Sequence, residues 1–146
     1  MALLACLGLA LSLAPVPGAG PADAQEAVVV IAHQAAPVSS LSRQEVSDLF
    51  LKKTTAWMDG TRVVPVDLAE RTTARVQFST AVHKRSVAAV EAYWQKMIFS
   101  GREVPPPEKA SLSELIAFVR ANRGAIGYVP SGFETGSGVK VLKVRP

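Results

Sequence analysis

One cysteine, Cys6, stands in the whole chain, inside a leucine- and alanine-rich N-terminal stretch. A disulfide framework is therefore excluded, and the folded part must be held by its apolar core alone. There are two histidines, His33 and His83, and neither has Cys, Asp or Glu at a recognised metal-ligand spacing. No catalytic motif accompanies either of them. Aromatic residues make up 6% of the chain and are scattered. Without a stacking cluster or a recognised module, nucleic-acid binding has no support. No apolar run reaches the roughly 20 residues that a membrane-spanning helix needs, and there is no internal repeat.

Basic residues are absent from the first 42 positions, and all 16 Lys and Arg follow. The net charge is +4, with the cations spread along the chain rather than in a run. Residues Ala2 to Val16 are almost wholly apolar. Pro15, Pro17, Gly18, Gly20 and Pro21 then break any helix, and Ala22-Asp23-Ala24 offers a small-x-small cleavage pattern. Apolar core, breaker and cleavage site together predict a secretory signal peptide over residues 1–24, although the usual basic residue ahead of the core is missing. An uncleaved anchor is the alternative, and the flanks and length fit it poorly. Residues 25–146 are expected to form one domain, located in the periplasm.

Along that domain, strand patterns alternate with helix patterns. Ala27–Ile31 reads as a strand buried on both faces, of the kind found in the middle of a parallel sheet. Ser42-Arg-Gln-Glu45 is a capping box that opens a helix with Val46, Leu49 and Phe50 on one face. Arg62–Val66 reads as a second strand, with Pro65 at its end or at a sheet edge. Thr72-Thr73 offers another helix start, with Val76, Phe78, Ala81 and Val82 behind it. An amphipathic helix runs from about Ser86 to Phe99, and Pro105-Pro-Pro107 is a stiff linker. Ser111-Leu-Ser-Glu114 is a second capping box. Ala125–Val129 and Val139–Val144 read as further strands. The alternation predicts an α/β three-layer domain, a small mostly parallel or mixed sheet flanked by helices.

Several stretches then resemble phosphate ABC transporter substrate-binding proteins. Leu41–Leu51, followed by Lys53, Trp57 and Gly60, resembles that family's helix-plus-tryptophan segment. Val63–Val66 resembles the next strand, and Arg123-Gly-Ala-Ile-Gly-Tyr-Val129 a late one. Phe99-Ser-Gly-Arg102 followed by Pro105-Pro106 is similar to short, single-lobe members. The resemblance covers about residues 28–130. It implies one lobe of a type 2 periplasmic binding protein, whose ligand lies in a cleft between two such lobes. In the family the second strand runs into an Arg-Ser-Asp-Gly-Ser-Gly-Thr loop that holds phosphate. Here the place reads Asp67-Leu-Ala-Glu-Arg-Thr-Thr73. The hydroxyls persist and an arginine is displaced along the loop, but the glycines that allow tight backbone wrapping are gone.

The candidate ligand-binding residues are Ser39, Ser40, Ser42, Asp67, Arg71, Thr72 and Thr73. A helix N-terminus offers unpaired N–H groups to an oxyanion. Arg71 would add a bidentate contact, and the serines lie where a strand runs into a helix. Asp67 would orient Arg71 or accept from a ligand hydroxyl. Each has a plainer role open to it: Thr72 or Thr73 as a helix cap, Arg71 paired with Glu70 or with solvent, the serines as a turn and cap, Asp67 as a turn acceptor.

The leading expectation is an exported, non-enzymatic binding protein for phosphate or a similar small oxyanion, needing neither cofactor nor metal. Its partner would be an ABC permease or another envelope protein, and the membrane would matter only for export. The rival is an interaction module that keeps the lobe fold without ligand transport. An enzyme ranks last.

Overall fold

The computed structural model describes residues 27–146. The expected signal peptide, residues 1–24, and Cys6 lie outside the described residues.

Two strands, β1 (Val28–His33) and β6 (Ala125–Pro130), are apolar at nearly every position. A strand apolar in both parities must be covered on both faces, and these two lie inside a five-stranded sheet of order β2-β7-β1-β6-β3. β2 is Ser40–Ser42, β3 is Val64–Pro65 and β7 is Val139–Arg145. β1 is central, as its composition predicts, but it runs antiparallel to both neighbours, β6 and β7. Hydrophobic pattern reports burial and carries no information about strand direction, which is why a parallel centre was the wrong expectation for this strand. The edge strands β2 and β3 do pair in parallel, with β7 and β6. Pro65 sits on edge strand β3, where its missing N–H costs no ladder bond.

Adjacent residues of β6 show the layers. A Cβ added at Gly127 would meet Leu115 and Val119 of α4 (Leu112–Ala121) and Val66. The next side chain, Tyr128, points to the opposite face and stacks on Phe78 of α2 (Thr73–Phe78). Helices thus cover both faces of a mixed sheet, giving the three-layer α/β domain. The core on the α2 side holds Phe50, Phe78 and Tyr128, all essentially without exposure, each worth roughly 1.5–3 kcal/mol of apolar burial.

Local signals set the helix starts. Ser42 caps α1 (Arg43–Phe50): its Oγ accepts from Glu45 N at 3.1 Å, and Glu45 accepts from Ser42 N at 2.6 Å. Ser86 caps α3 (Val87–Phe99) in the same way through Ala89 N. At α4, Ser111 accepts from Glu114 N, but the Glu114 carboxylate turns to Ala110 N rather than to Ser111 N. The second box is therefore half formed.

After Phe78 the helix widens into a π-helical turn, Ser79–His83, ended by Lys84 at φ 55°. Ala74, Phe78 and Val82 are buried, while Val76, only two residues from Ala74 and from Phe78, faces away and is 48% exposed. Trp94 and Val90 of α3 pack with Leu51 in a small satellite core, which Tyr93 tightens by donating to Leu51 O at 2.9 Å.

Candidate functional site: the Asp67 turn and its acidic groove

β3 passes through Val66 into a two-residue strand, β4 (Asp67–Leu68), which pairs in parallel with β5 (Glu108–Lys109). Asp67 N donates to Pro107 O and Ala69 N to Lys109 O. The proline-rich linker is thereby laid against the turn that leads into α2, and it brings Glu108 to that turn.

Asp67 is 3% exposed, and its carboxylate is fully engaged. One oxygen accepts from Leu68 N at 3.0 Å and from the Tyr128 hydroxyl. The other forms an ion pair with Arg75. Tyr128 OH in turn accepts from Leu68 N at 3.2 Å. Burial pushes the Tyr128 hydroxyl up to about 12, with the Arg75 charge opposing, so it stays a proton donor to Asp67. Phe78 lies flat on the Tyr128 ring at 3.9 Å, and Phe50 leans against Phe78 at 4.6 Å. His83 meets the edge of Phe78, and its Nδ1 lies 2.9 Å from Ser47 Oγ. Burial, reinforced by Arg75, Arg85 and Lys53, lowers His83 to about 4, so its ring is neutral at ordinary pH.

Thr72 is the N-cap of α2. Its Oγ1 accepts from Arg75 N at 3.3 Å and donates to Ala69 O at 2.9 Å, so its hydroxyl is occupied in both senses. Arg71 and Thr73 are exposed at the same turn, and Arg71 forms no ion pair with Glu70 among the described residues. Ser39, Ser40 and Ser42 stand elsewhere. Ser39 O accepts from Lys143 N, Ser40 pairs with Lys143, and Ser42 is the α1 cap. Strands β7, β1 and β6 separate their strand from β3, about 19 Å of lateral distance at the usual strand spacing. The structure brings Asp67, Thr72 and Thr73 together with Arg71 and leaves the three serines at the far edge.

Beside the Asp67 turn, between α2, α3 and the proline-rich linker, runs a groove of about 230 Å³ lined by Asp67, Glu70, Arg75, Glu91, Trp94 and Glu108 among others. The Glu91 carboxyl is held above its ordinary range. The main cause is the neighbouring Glu70 carboxyl, followed by burial. Glu91 Oε1 and Arg75 Nε are both buried without a hydrogen-bond partner among the described residues.

Reasoning from sequence missed Arg75, Tyr128, Glu91 and Glu108. Two of these leave a trace. Arg75 interrupts the buried run of Ala74 and Phe78, and Tyr128 is the polar-tipped residue in an apolar strand. A charge or hydroxyl in such a place needs a buried partner, and here each partners Asp67. Glu91 and Glu108 left no local signal, since only the β4–β5 pairing and the placement of α3 bring them to the turn.

No family model and no curated protein matches the sequence. Solved structures do match the fold. One is a protein of Clostridium perfringens assigned as a phosphate ABC transporter substrate-binding protein and solved with bound phosphate. It is 20% identical with a TM-score of 0.63, covering 81% of this chain and 44% of its own. A second is an ABC-type phosphate transport receptor from Vibrio cholerae, 17% identical, TM-score 0.63, covering 81% of this chain and 46% of its own. A third is PstS from Borrelia burgdorferi, 11% identical, TM-score 0.57, covering 81% and 47% respectively. The chain thus spans less than half the length of these proteins, and its fold is that of one lobe of the phosphate-receptor architecture.

Proposed function

We propose that this chain is an exported, non-enzymatic binding module of the cell envelope that acts by contact with a partner protein. The observation that carries this reading is the internal satisfaction of the Asp67–Thr72 turn. Asp67 is spent on Arg75, Tyr128 and Leu68, and Thr72 on Ala69 and Arg75. The neighbouring groove presents carboxylates, which repel a phosphate. In contrast, the C-terminal end of α3 and the loop after it expose Ile98 at 52%, Phe99 at 92% and Val104 at 59%, an apolar group of the kind that marks contact surfaces.

The test is site-specific photo-crosslinking in the cells that export the protein. A crosslinking residue at Phe99 is expected to give a discrete adduct, and one at exposed Gln34 none. Equal labelling at both positions, or none at either, would count against the module.

The fold itself favours a second reading, a receptor lobe for phosphate or a similar small oxyanion serving an ABC permease. In this chain it would rest on Arg71, Thr73 and the amides of the α2 start, with Ser39, Ser40 and Ser42 too distant to share the ligand. Calorimetry separates the two. Phosphate or sulfate binding well below millimolar, abolished by Arg71→Ala, would establish the oxyanion reading, whereas a flat titration with folded protein leaves the module.

A further inference from the structure

The groove beside the Asp67 turn carries three carboxylates, Glu70, Glu91 and Glu108, none of which forms an ion pair among the described residues. This is a local concentration of negative charge on a chain whose net charge is +4. Glu70 and Glu91 line the same groove, and like charges gathered in one site are an arrangement that a cation relieves. A bare metal ion is a poor fit, because among the described residues no three His, Cys, Asp or Glu side chains converge as ligands.

The groove wall makes a second and opposite demand. Arg75 is 4% exposed, Asp67 engages one end of its guanidinium, and its Nε has no acceptor. A guest suited to this lining offers positive donors to the glutamates and a neutral or negative acceptor to the part of Arg75 that faces the groove. A polypeptide does both, through a basic side chain and its own main-chain carbonyl. At about 230 Å³ the groove falls below the roughly 300–1,000 Å³ that encloses a whole small-molecule ligand, and it suits one long side chain. Trp94, Ile98 and Pro105 supply apolar walls for the aliphatic stem, and Ile98 continues into the exposed Phe99.

We propose that this groove is the docking slot for an arginine-bearing segment of the partner protein, the guanidinium held by Glu70 and Glu91 with Glu108 facing it, and a main-chain carbonyl of the segment set against Arg75. The inference rests on the module reading and adds the chemistry of the partner. Arginine suits the slot better than lysine because its planar fork can satisfy two carboxylates at once.

The test uses the exported protein and short capped peptides with one central arginine among leucines and alanines, followed by tryptophan fluorescence. The control peptide carries citrulline, which keeps the shape and loses the charge. The arginine peptide is expected to bind, at least about tenfold more tightly than the citrulline peptide, and to lose that advantage in 0.5 M salt or in the Glu91→Gln/Glu108→Gln variant. Equal binding of the two peptides, or binding of neither, overturns the slot. Both glutamates are at least partly exposed, and circular dichroism confirms that the variant is folded. The Phe99 crosslink separates the two levels of the proposal. Loss of the adduct in the double variant supports the slot. An adduct that survives it removes the slot and keeps the module, and the absence of any adduct in the unsubstituted protein removes both.

Discussion

Asp67 and Arg75 form an ion pair in which both side chains are about 95% removed from solvent. Burying two charges is costly, and their attraction offsets that cost only while both are present. Asp67→Asn leaves the Arg75 charge buried without its counterion and is expected to lower stability by about 3–5 kcal/mol. The double variant Asp67→Asn/Arg75→Met removes the charge from both sides and is expected to lose clearly less than the two single variants added together. Urea unfolding of the four proteins closes the cycle, and additive losses would mean that the pair does not act as a unit.

Tyr128 links that pair to the aromatic stack. Its hydroxyl donates to Asp67, and its ring lies on Phe78. Tyr128→Phe keeps the stack and removes the donor, leaving Asp67 one hydrogen bond short in a buried site. A loss of about 1–3 kcal/mol is expected, with unchanged near-ultraviolet circular dichroism from the surrounding core. A loss near zero would show that the hydroxyl does not satisfy the carboxylate.

His83 supplies a pH dependence. Its folded-state value is lowered to about 4, chiefly by burial and then by Arg75, Arg85 and Lys53. The ordinary value in the unfolded chain is 6.5. Above 6.5 both states are neutral and its contribution to stability is intact. As pH falls from 6.5 towards 4 the unfolded chain takes up a proton that the folded protein refuses, so stability is lost through that window. At 1.36 kcal/mol per pKa unit the loss is on the order of 3 kcal/mol. Unfolding midpoints measured from pH 7 to pH 4 check this, and His83→Gln is expected to flatten the profile there.

The sequence made legible what depends on local pattern. The Ser42 cap, the Thr72 cap, the span of α3 and the central place of β1 all follow from a few consecutive residues. Direction and assembly were not legible. The antiparallel neighbours of β1 depend on which distant strands reach it, and nothing in the local pattern marks the π-helical turn at Ser79–His83. The same limit applies to the site. Hydroxyls at Ser39–Ser42 and at Thr72–Thr73 look equivalent in sequence, yet they cap helices at opposite edges of one sheet. Glu91 and Glu108, 21 and 38 residues after Glu70, reach its groove only through the placement of α3 and the pairing of β4 with β5.

Gly124 and Gly127 differ in what a methyl group would strike, and that difference is measurable. At Gly127 an added Cβ would meet Leu115 Cδ2 at 2.9 Å, Val66 Cγ1 at 3.2 Å and Val119 Cγ2 at 3.3 Å. These are side-chain tips that can turn aside, so Gly127→Ala is expected to cost about 1–3 kcal/mol, the usual range for overpacking. At Gly124 the added Cβ would fall on the carbonyl oxygen of Arg62, a backbone atom that cannot rotate away. The same residue accepts from Val64 N at 2.9 Å and from the Trp57 indole at 3.3 Å. Relieving the clash means parting β3 from β6 and losing both bonds, and since Val66 and the Asp67 turn follow directly from β3, the groove would be displaced as well. Gly124→Ala is therefore expected to destabilise the protein more than Gly127→Ala in thermal and urea unfolding, and to weaken binding of the arginine peptide even at temperatures where the variant is folded. Equal destabilisation by the two alanines would show that β3 is free to shift without cost.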